Sequence, residues 1–491
     1  QETIDSMSST LLAPPETSTS ASERSTVDKP AKRLEPREPN PRTNSGIRAY
    51  ILPVAVGLVL RTLVSLVWLG GTDLNNDAAD YYSEAVKIFD GTREPIPSYW
   101  PPGTSYYLVG WFAVLGVGVG TARVAMIVLS TLQIAVTGLL TFEATRNRRT
   151  AILASWIWAL YPPSVLLVGQ TYSQHLACFA LACSALFGMK WINSRSSLWL
   201  VPLGISLGVG TLTRPSMMSV LLITLAVVFV LSLLGSEKLS QRISRAIFRA
   251  IPVALAAGLV IAPTILQNAR YGGGYSLSTN NERNFFIGNN PHTPWYKTSH
   301  FAQRTLQELP VEVQEYLVSH YEAPDRRAAM KQAAMRHIME NPGLAVLRTA
   351  NRARSFWGFD YLATRSIQAT YAAISKIVAV AVLLAEAGGY ALVMICALLG
   401  LFHFSGKATV SSTAWYLAAI LAYAVPYCIA FSSGTYHYPV MGIVVVFAAI
   451  GARSIWESGW KSIVAPTRVW LVLFAFVAIQ VEYAYFTMAA W

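Results

Sequence analysis

Three carboxylates stand close together directly after the first long apolar segment of the chain. Asp73, Asp77 and Asp80 fall within eight positions. Such a cluster beside a membrane, in a chain with only 13% charged residues, needs a chemical or structural reason. Carboxylates act as general bases or as ligands of hard divalent cations. We interpret this stretch as the mouth of an active site on the non-cytoplasmic side of a membrane.

The same acids also have a purely structural interpretation. Apolar residues between Tyr81 and Phe89 recur at helical spacing. Asp77 would then be the N-cap of this helix, and Asp80 would favour its positive end. This interpretation explains one or two acids, but it does not explain the two adjacent tyrosines or the turn at Trp100–Gly103.

The chain around these acids has the composition of an integral membrane protein. It has 491 residues, of which 53% are hydrophobic and 13% are charged. Soluble domains contain about 25% charged residues, roughly twice that fraction. Apolar runs of about 17–25 residues recur, each long enough to cross a ~30 Å hydrocarbon core. The net charge of +12 reflects topology and contact with anionic membrane lipids. No nucleic-acid partner is inferred.

The apolar runs predict an all-α polytopic membrane protein with about eleven transmembrane helices. The segment 105–119 is short and rich in glycine, so we predict a helix that lies at the membrane interface. The predicted spans are 50–71, 122–142, 151–168, 175–193, 198–213, 216–235, 250–267, 377–402, 413–431, 439–456 and 469–489.

The distribution of Lys and Arg predicts the orientation. One alternating set of loops is basic and includes Arg146–Arg149 and Lys238–Arg249, whereas the short loops between them contain only Arg214. Basic loops stay in the cytoplasm. We therefore predict a multi-pass protein of the cell (plasma or inner) membrane, with a cytoplasmic N-terminus and the acid cluster facing outside.

Four regions follow from this layout. The region at 1–48 is rich in Ser, Thr, Pro and charged side chains, a composition that favours disorder. The cysteines fall in apolar segments without metal-ligand spacing and are interpreted as packing residues. The regions are a disordered cytoplasmic tail at 1–48, an N-terminal transmembrane module at 49–267 with its first outer loop at 72–119, a mostly helical external loop region at 268–376, and C-terminal transmembrane helices at 377–491.

Short motifs spread over residues 50–456 resemble the pattern of the GT-C superfamily of membrane glycosyltransferases. The likeness is closest to family 39, the branch of protein mannosyltransferases and aminoarabinose transferases. The resemblance implies a GT-C-like fold of eleven spans with a large loop between the seventh and eighth. The motifs include Asp77–Tyr81, Trp100–Gly103, Leu160–Pro163, Leu212–Pro215 and Ile287–Pro291.

The resemblance implies an inverting hexosyl or pentosyl transferase. Its donor would be a sugar linked to polyprenyl phosphate, and its acceptor a glycan, lipid or protein outside the membrane. The family's loop aspartate falls at Asp77, which would be the base that accepts the proton of the acceptor hydroxyl. Asp80 and Asp73 are further catalytic candidates. No cofactor is assigned, and a divalent metal ion held by Asp77 and Asp80 stays open.

A leaving phosphate needs cationic partners, and arginine binds phosphate through two parallel hydrogen bonds. The outer-face candidates are Arg214, Arg270 and Arg283, for which the alternative is interfacial snorkelling. The further substrate-binding candidates are Tyr81, Asn289, Tyr436 and His437.

Two positions depart from the family pattern. Many relatives carry an acid where this chain has Tyr172–His175, so no second acid is assigned there. Relatives often have an arginine in the last catalytic loop, where this chain has His437; the alternative for this histidine is a buried polar residue. Arg61 and Glu386 lie inside spans, where charges are unfavourable, and they receive no role from the sequence.

Two other functions compete with the transferase. A transporter or flippase for a lipid-linked sugar would show internal repeats and charged sites near the midplane. The sequence shows no repeat, and its clustered acids lie at the surface. A scaffold without chemistry would leave the acid cluster unexplained. A transferase should instead have a cavity that opens to the outer face and to the lipid, with Asp77 at its wall.

Overall fold

The structure, a computed structural model, describes residues 45–296, 305–371, 374–403, 407–464 and 466–488. Within these ranges the chain is helical and contains no β-strand, which confirms the predicted all-α class. Eight of the described helices are long and apolar enough to cross a membrane, and the number rises to nine if one bent pair is a single span. The chain is a multi-pass membrane protein, but the predicted number of about eleven spans is not confirmed.

The helices of the first half of the chain overlap the predicted spans there and the loop at 72–119. Two of them, at Ser197–Thr213 and Met217–Leu233, are apolar but shorter than a typical span. The helices are α1 (Ser45–Thr62), α2 (Asp77–Phe89), α3 (Gly103–Leu115), α4 (Val119–Thr145), α5 (Arg148–Leu160), α6 (Pro162–Leu166), α7 (Ser173–Ser194), α8 (Leu200–Thr213), α9 (Met217–Leu233) and α10 (Leu239–Arg270).

The second half of the chain contains short helices of the long loop, followed by the C-terminal spans. They are α11 (Asn281–Gly288), α12 (Val311–Tyr321), α13 (Arg326–Glu340), α14 (Pro342–Phe356), α15 (Leu362–Thr370), α16 (Lys376–Phe402), α17 (Lys407–Ile429), α18 (Tyr438–Ser458), α19 (Trp460–Val464) and α20 (Thr467–Met488). The predicted tail at 1–48 lies outside the described residues up to position 44, and α1 begins at Ser45.

Helix α18 is the core of the membrane portion. Its residues from Tyr438 to Ala449 are all buried, so this helix is surrounded by protein rather than by lipid. Gly400 of α16 approaches α18 so closely that an added Cβ atom would collide with the Phe447 carbonyl oxygen. The two helix backbones therefore pack in direct contact at a position that only glycine permits.

A bend of 50° separates α5 from α6, at the Tyr161–Pro163 motif. Proline has no backbone N–H, and it forces the residue before it out of the helical conformation. Tyr161 accordingly adopts an extended backbone. Carbonyl groups at the end of α5 are thereby freed and need donors from elsewhere.

Arg61 supplies these donors from α1. Its guanidinium is completely buried and makes five hydrogen bonds of 2.7–3.2 Å. The acceptors are the Ser130 and Ser164 hydroxyls and the Gly57, Trp158 and Ala159 carbonyls. Arg61 thus ties α1 and α4 to the bend between α5 and α6.

Glu386, the other charge inside a predicted span, holds the start of α15. Its carboxylate accepts hydrogen bonds from the backbone N–H groups of Ala363 and Thr364, both at 2.9 Å, and from the Thr364 hydroxyl at 2.8 Å. The first N–H groups of a helix lack intrahelical partners and favour a negative charge nearby. Glu386 therefore fixes α15 on the membrane helices.

Candidate active site

A cavity of about 330 Å³ lies beside the first turn of α2, and we call it the first cavity. It brings together side chains from the loop at 72–119, the turn after α8, the start of α11 and the end of α17. Its lining residues are Asp77, Tyr81, Trp100, Pro101, Ser173, Thr213, Arg214, Pro215, Ser216, Asn280, Asn281, Asn284, Pro426, Tyr427, Ala430, Phe431 and Tyr436.

Asp77 enters this cavity as the first residue of α2. The residue before it, Asn76, is the N-cap and has φ 48° and ψ −140°, a conformation that side-chain-bearing residues seldom adopt. Asp77 is therefore not itself the N-cap of α2, contrary to the structural interpretation of the sequence. The unusual backbone at Asn76 sets the direction in which the helix, and with it Asp77, leaves the loop.

The loop that carries Asp77 is clamped by α15. The Asn75 side-chain amide donates to the Ser366 carbonyl at 3.0 Å and to the Thr370 hydroxyl at 2.7 Å. The Tyr172 hydroxyl is 3.0 Å from the Ser366 hydroxyl and donates to the side-chain Oδ1 of Asn75 at 3.2 Å. Since Glu386 fixes α15, this clamp couples the position of Asp77 to the membrane helices.

The environment of Asp77 raises the pKa of its carboxyl group. Asp77 is an exposed residue, and it borders the first cavity. Desolvation is the main cause of the higher pKa, and the Asp80 carboxylate adds to it, whereas Arg214 and Arg365 oppose it. A carboxylate with a raised pKa is a stronger proton acceptor than a fully hydrated one.

Arg214 is the cation of the first cavity. Its Nη1 donates to the Tyr427 hydroxyl at 2.9 Å, and its guanidinium lies 5.5 Å from the centre of the Tyr436 ring. The Tyr436 ring in turn stacks on Tyr427, with the ring centres 4.7 Å apart. Within the described part of the chain, the buried Nε of Arg214 has no hydrogen-bond partner.

A second cavity, of about 440 Å³, lies on the other side of Tyr81 and Trp100, which line both cavities. The Trp100 indole N–H donates to the Asp80 carboxylate at 3.2 Å. The Tyr81 ring centre lies 6.0 Å from that of Trp100. Asp77 thus lines the first cavity and Asp80 the second. The lining residues of the second cavity are Asp80, Tyr81, Ser83, Glu84, Lys87, Thr92, Arg93, Glu94, Ile96, Pro97, Ser98, Tyr99, Trp100 and Ser105.

This separation bears on the question of a metal ion. Among the described residues, no group of three or more His, Cys, Asp and Glu side chains is placed to hold one. Divalent cations need several oxygen ligands that converge on a single point. Asp77 and Asp80 line different cavities, and a metal ion held by these two carboxylates stays a prediction.

The structure brings Asp77, Tyr81, Arg214 and Tyr436 to the first cavity, but not the other predicted residues. Asp73 is exposed and lines neither cavity. Arg270 is exposed beside the Tyr271 ring.

The two remaining cation and polar candidates of the long loop have structural partners. Arg283 donates to the Tyr99 hydroxyl at 3.3 Å. Asn289 is buried, donates to the Phe285 and Ile429 carbonyls and accepts from Arg352. Neither residue lines the first cavity.

His437 also lies away from the first cavity. It is completely buried, and its ring stacks on Tyr390 with the ring centres 4.3 Å apart. Its Nδ1 is 2.9 Å from the Phe356 carbonyl oxygen. This environment is that of a buried polar residue, the alternative that the sequence left open.

Sequence reasoning missed Tyr427, Ser173 and the asparagines of α11, which also line the first cavity. For Tyr427 a signal was present, because Tyr423 and Tyr427 stand four residues apart near the C-terminal end of an apolar segment. Such a pair shares one helix face. Their hydroxyl groups are 3.2 Å apart. For the asparagines, the sequence indicated only a turn-rich loop.

No family model and no curated protein matches the chain. Among solved structures, it is similar to the archaeal oligosaccharyltransferase AglB from Archaeoglobus fulgidus in complex with an inhibitory peptide and a dolichol-phosphate. That match has a TM-score of 0.49 and 11% identity, and it covers 91% of this chain but only 56% of AglB. A second match is ArnT from Cupriavidus metallidurans bound to undecaprenyl phosphate, with a TM-score of 0.40 and 15% identity over 82% of this chain and 79% of ArnT.

Proposed function

We propose that this chain is an inverting glycosyltransferase that takes a hexose or pentose from a polyprenyl-phosphate donor. The observation that carries the proposal is the shared cavity of Asp77 and Arg214. Asp77, a candidate proton acceptor, and Arg214, a candidate phosphate-binding cation, both line the first cavity of this membrane protein. The sequence motifs that contain both residues resemble those of the GT-C family.

The reaction assigns one role to each residue. The acceptor hydroxyl oxygen attacks the anomeric carbon from the face opposite the phosphate, and the bond between that carbon and the phosphate oxygen breaks. The hydroxyl proton passes to Asp77, whose raised pKa suits it to accept a proton. Arg214 binds the leaving polyprenyl phosphate, where negative charge develops in the transition state.

The contacts of Arg214 support a phosphate-binding role. An arginine has five N–H donors and binds phosphate best through two of them. Tyr427 occupies one donor and Tyr436 supports the plane of the guanidinium, which leaves donors for a ligand. Among the described residues, Arg214 is the only Lys or Arg in the lining of this cavity, and a single cation fits a monophosphate better than a diphosphate.

The lipid part of the donor needs an apolar path to the cavity. Leu421, Val425 and Ile429 form an exposed stripe along α17, with 59%, 49% and 47% of their surfaces accessible. The stripe runs beside Pro426 and Ala430, which line the first cavity. We assign this face of α17 to the polyprenyl chain, which would reach the cavity from the bilayer.

The orientation and the partners form part of the proposal. The N-terminus is cytoplasmic and both cavities open to the extracytoplasmic side. The donor is a lipid-linked sugar and the acceptor is an envelope glycan, lipid or protein. A transporter would place its charged site near the membrane midplane, whereas Asp77 and Arg214 follow the ends of α1 and α8 and lie outside these helices.

Asp77→Asn tests the proposal directly. The substitution keeps the shape of the side chain and removes its ability to accept a proton. Transfer from synthetic undecaprenyl-phosphoryl hexoses and pentoses to envelope glycans should fall by about 10²–10⁴-fold, the usual effect of a general base. Comparison of envelope glycans by mass spectrometry, with and without the chain, identifies the sugar to use.

Asp73→Asn is the matched control, because Asp73 is an exposed acid of the same loop that lines neither cavity. It should transfer at nearly the wild-type rate. Binding of undecaprenyl phosphate by Asp77→Asn should persist and would show that the fold is intact. Near-normal transfer by Asp77→Asn would remove this residue from the chemistry.

A further inference from the structure

The second cavity has a preformed wall. Arg93 makes a 2.6 Å ion pair with Glu84 and a 2.7 Å hydrogen bond to the Ser98 hydroxyl. The backbone of Ser98 is held in turn by the Asn268 side chain at 2.9 Å and by Thr279 at 2.9 Å. These contacts fix the segment between α2 and α3 against the end of α10, so the cavity does not depend on a ligand to form.

The lining of this wall combines aromatic faces with carboxylates. Tyr99 is 43% exposed, and its ring meets Trp100 edge to face with the ring centres 5.1 Å apart. Asp80 and Glu94 are exposed in the same lining. Aromatic faces carry partial negative charge and attract the polarised C–H groups of a sugar ring, and carboxylates accept hydrogen bonds from hydroxyl groups.

The two cavities meet at one helix face. Asp77 and Asp80 are three residues apart on α2, so their Cβ atoms are about 5–6 Å from each other. This separation is comparable to the width of one sugar ring. A ring whose hydroxyl is bound by Asp80 in the second cavity can therefore present another hydroxyl to Asp77 in the first.

We propose that the second cavity is the acceptor subsite and that the acceptor is a glycan. This inference rests on the proposed transferase function and adds the class of acceptor to it. Trp100, held by Asp80, separates the acceptor ring from the donor phosphate beside Arg214. The attacking hydroxyl group reaches past Trp100 to the donor, while the acceptor sugar ring that carries it stays in contact with Tyr99 and Trp100.

The lining favours a glycan over the other acceptors. A lipid acceptor would need an apolar wall, whereas this cavity contains three acidic and two basic side chains: Asp80, Glu84, Glu94, Lys87 and Arg93. An extended peptide binds through backbone hydrogen bonds to an exposed strand or a groove. The described residues of this wall are helix and turn without a strand, which leaves side-chain contacts of the kind that hydroxyl groups use.

Photo-cross-linking tests the assignment without knowledge of the natural acceptor. The full chain in lipid nanodiscs would be irradiated with diazirine-bearing methyl glycosides of common hexoses and pentoses, and the labelled peptides mapped by mass spectrometry. We expect labelling within residues 83–105, and we expect it to persist when undecaprenyl phosphate saturates the first cavity. Asp80→Asn and Tyr99→Ala should each reduce the labelling about tenfold, the effect of one lost hydrogen bond to a charged group or of one ring contact.

Asp90→Asn is the matched control, because it removes an exposed acid at the end of the same helix without touching either cavity. Its labelling should equal that of the wild type. Absence of labelling, or labelling of the first cavity that undecaprenyl phosphate abolishes, would overturn the assignment. Labelling of residues 83–105 by a diazirine-bearing Ser/Thr peptide but not by glycosides would replace the glycan with a protein acceptor. Failure of undecaprenyl phosphate to bind, with glycoside labelling intact, would refute the proposed donor instead.

Discussion

Substitution of Arg214 should separate phosphate binding from proton transfer. Arg214→Gln removes the cation of the first cavity but keeps a hydrogen-bonding side chain beside Tyr427, the present partner of Arg214. A phosphate bound through two of the remaining N–H groups would lose two charge-assisted hydrogen bonds. At about 1.5–3 kcal/mol each, the loss amounts to about 3–6 kcal/mol, or about 10²–10⁴-fold in kcat/KM.

Arg214→Lys separates the contribution of charge from that of hydrogen-bond geometry. The lysine keeps the charge but offers a point contact instead of a planar pair of donors, and it loses the stacking geometry over Tyr436. We expect a loss of about 10–10²-fold, which corresponds to one hydrogen bond to a charged group. A result for Arg214→Lys equal to that for Arg214→Gln would indicate that geometry, rather than charge, carries the interaction.

The pH profile supplies an independent readout. The Asp77 carboxyl must be deprotonated to accept a proton, so kcat/KM falls on the acid side of its pKa. Arg214 lowers the pKa of Asp77 against the raising effect of burial. Without the cation the pKa of Asp77 rises further, and the acid limb of the profile should move to higher pH in Arg214→Gln. In Arg214→Lys, where the charge remains, the limb should move less.

Rates of transfer from synthetic undecaprenyl-phosphoryl sugars between pH 4 and 9 would measure both effects. Arg270→Gln is the matched control, because Arg270 is an exposed arginine outside the first cavity, and it should stay within about twofold of wild type. Equal losses in Arg214→Gln and Arg270→Gln would refute the assignment of the phosphate site. An unchanged acid limb in Arg214→Gln would refute the electrostatic coupling to Asp77.

Two further predictions concern the backbone before Asp77 and the topology. Asn76→Gly should retain transfer, because glycine adopts positive φ freely. Asn76→Val should lower both the thermal unfolding temperature and the transfer rate, since the backbone strain of about 1–3 kcal/mol at this position would increase. Equal behaviour of the two variants would contradict this expectation. In intact cells, an impermeant maleimide should label a cysteine at Tyr275, which is 84% exposed, but should label a cysteine at the exposed Ser240 only after permeabilisation. The reverse pattern would place both cavities in the cytoplasm, and wild type controls for the native cysteines.

The sequence was sufficient for the class of fold because the signal is local. Apolar length predicted an all-helical chain with a mostly helical loop at 268–376, and the structure has α11 to α15 in that region. The number of spans was less certain, since α8 and α9 are short and α5 bends before α6. Length and composition do not decide whether such helices cross a membrane.

The composition of the cavities depends on contacts that a sequence does not display. Arg214 and Tyr427 are 213 residues apart, and Asn75 and Thr370 are 295 residues apart. Arg214, Arg270 and Arg283 have equal standing as outer-face arginines in the sequence. Only the packing of α9, and of the turn before it, beside α17 distinguishes Arg214, because it determines which guanidinium shares a cavity with Asp77.

The buried guanidinium of Arg61 has a consequence for biosynthesis. Its partners outside α1 follow it by 69 to 103 residues in the chain, so at about 5–20 residues per second they are synthesised roughly 3–20 s later. During that interval the cation of the first span lacks every partner outside α1, and insertion experiments give the cost of an arginine at the bilayer centre as about 2.5–3.5 kcal/mol. The other residues of this span are predominantly apolar and outweigh that value. We therefore expect α1 to enter the bilayer early, and to reach its final position only when the bend between α5 and α6 emerges from the ribosome.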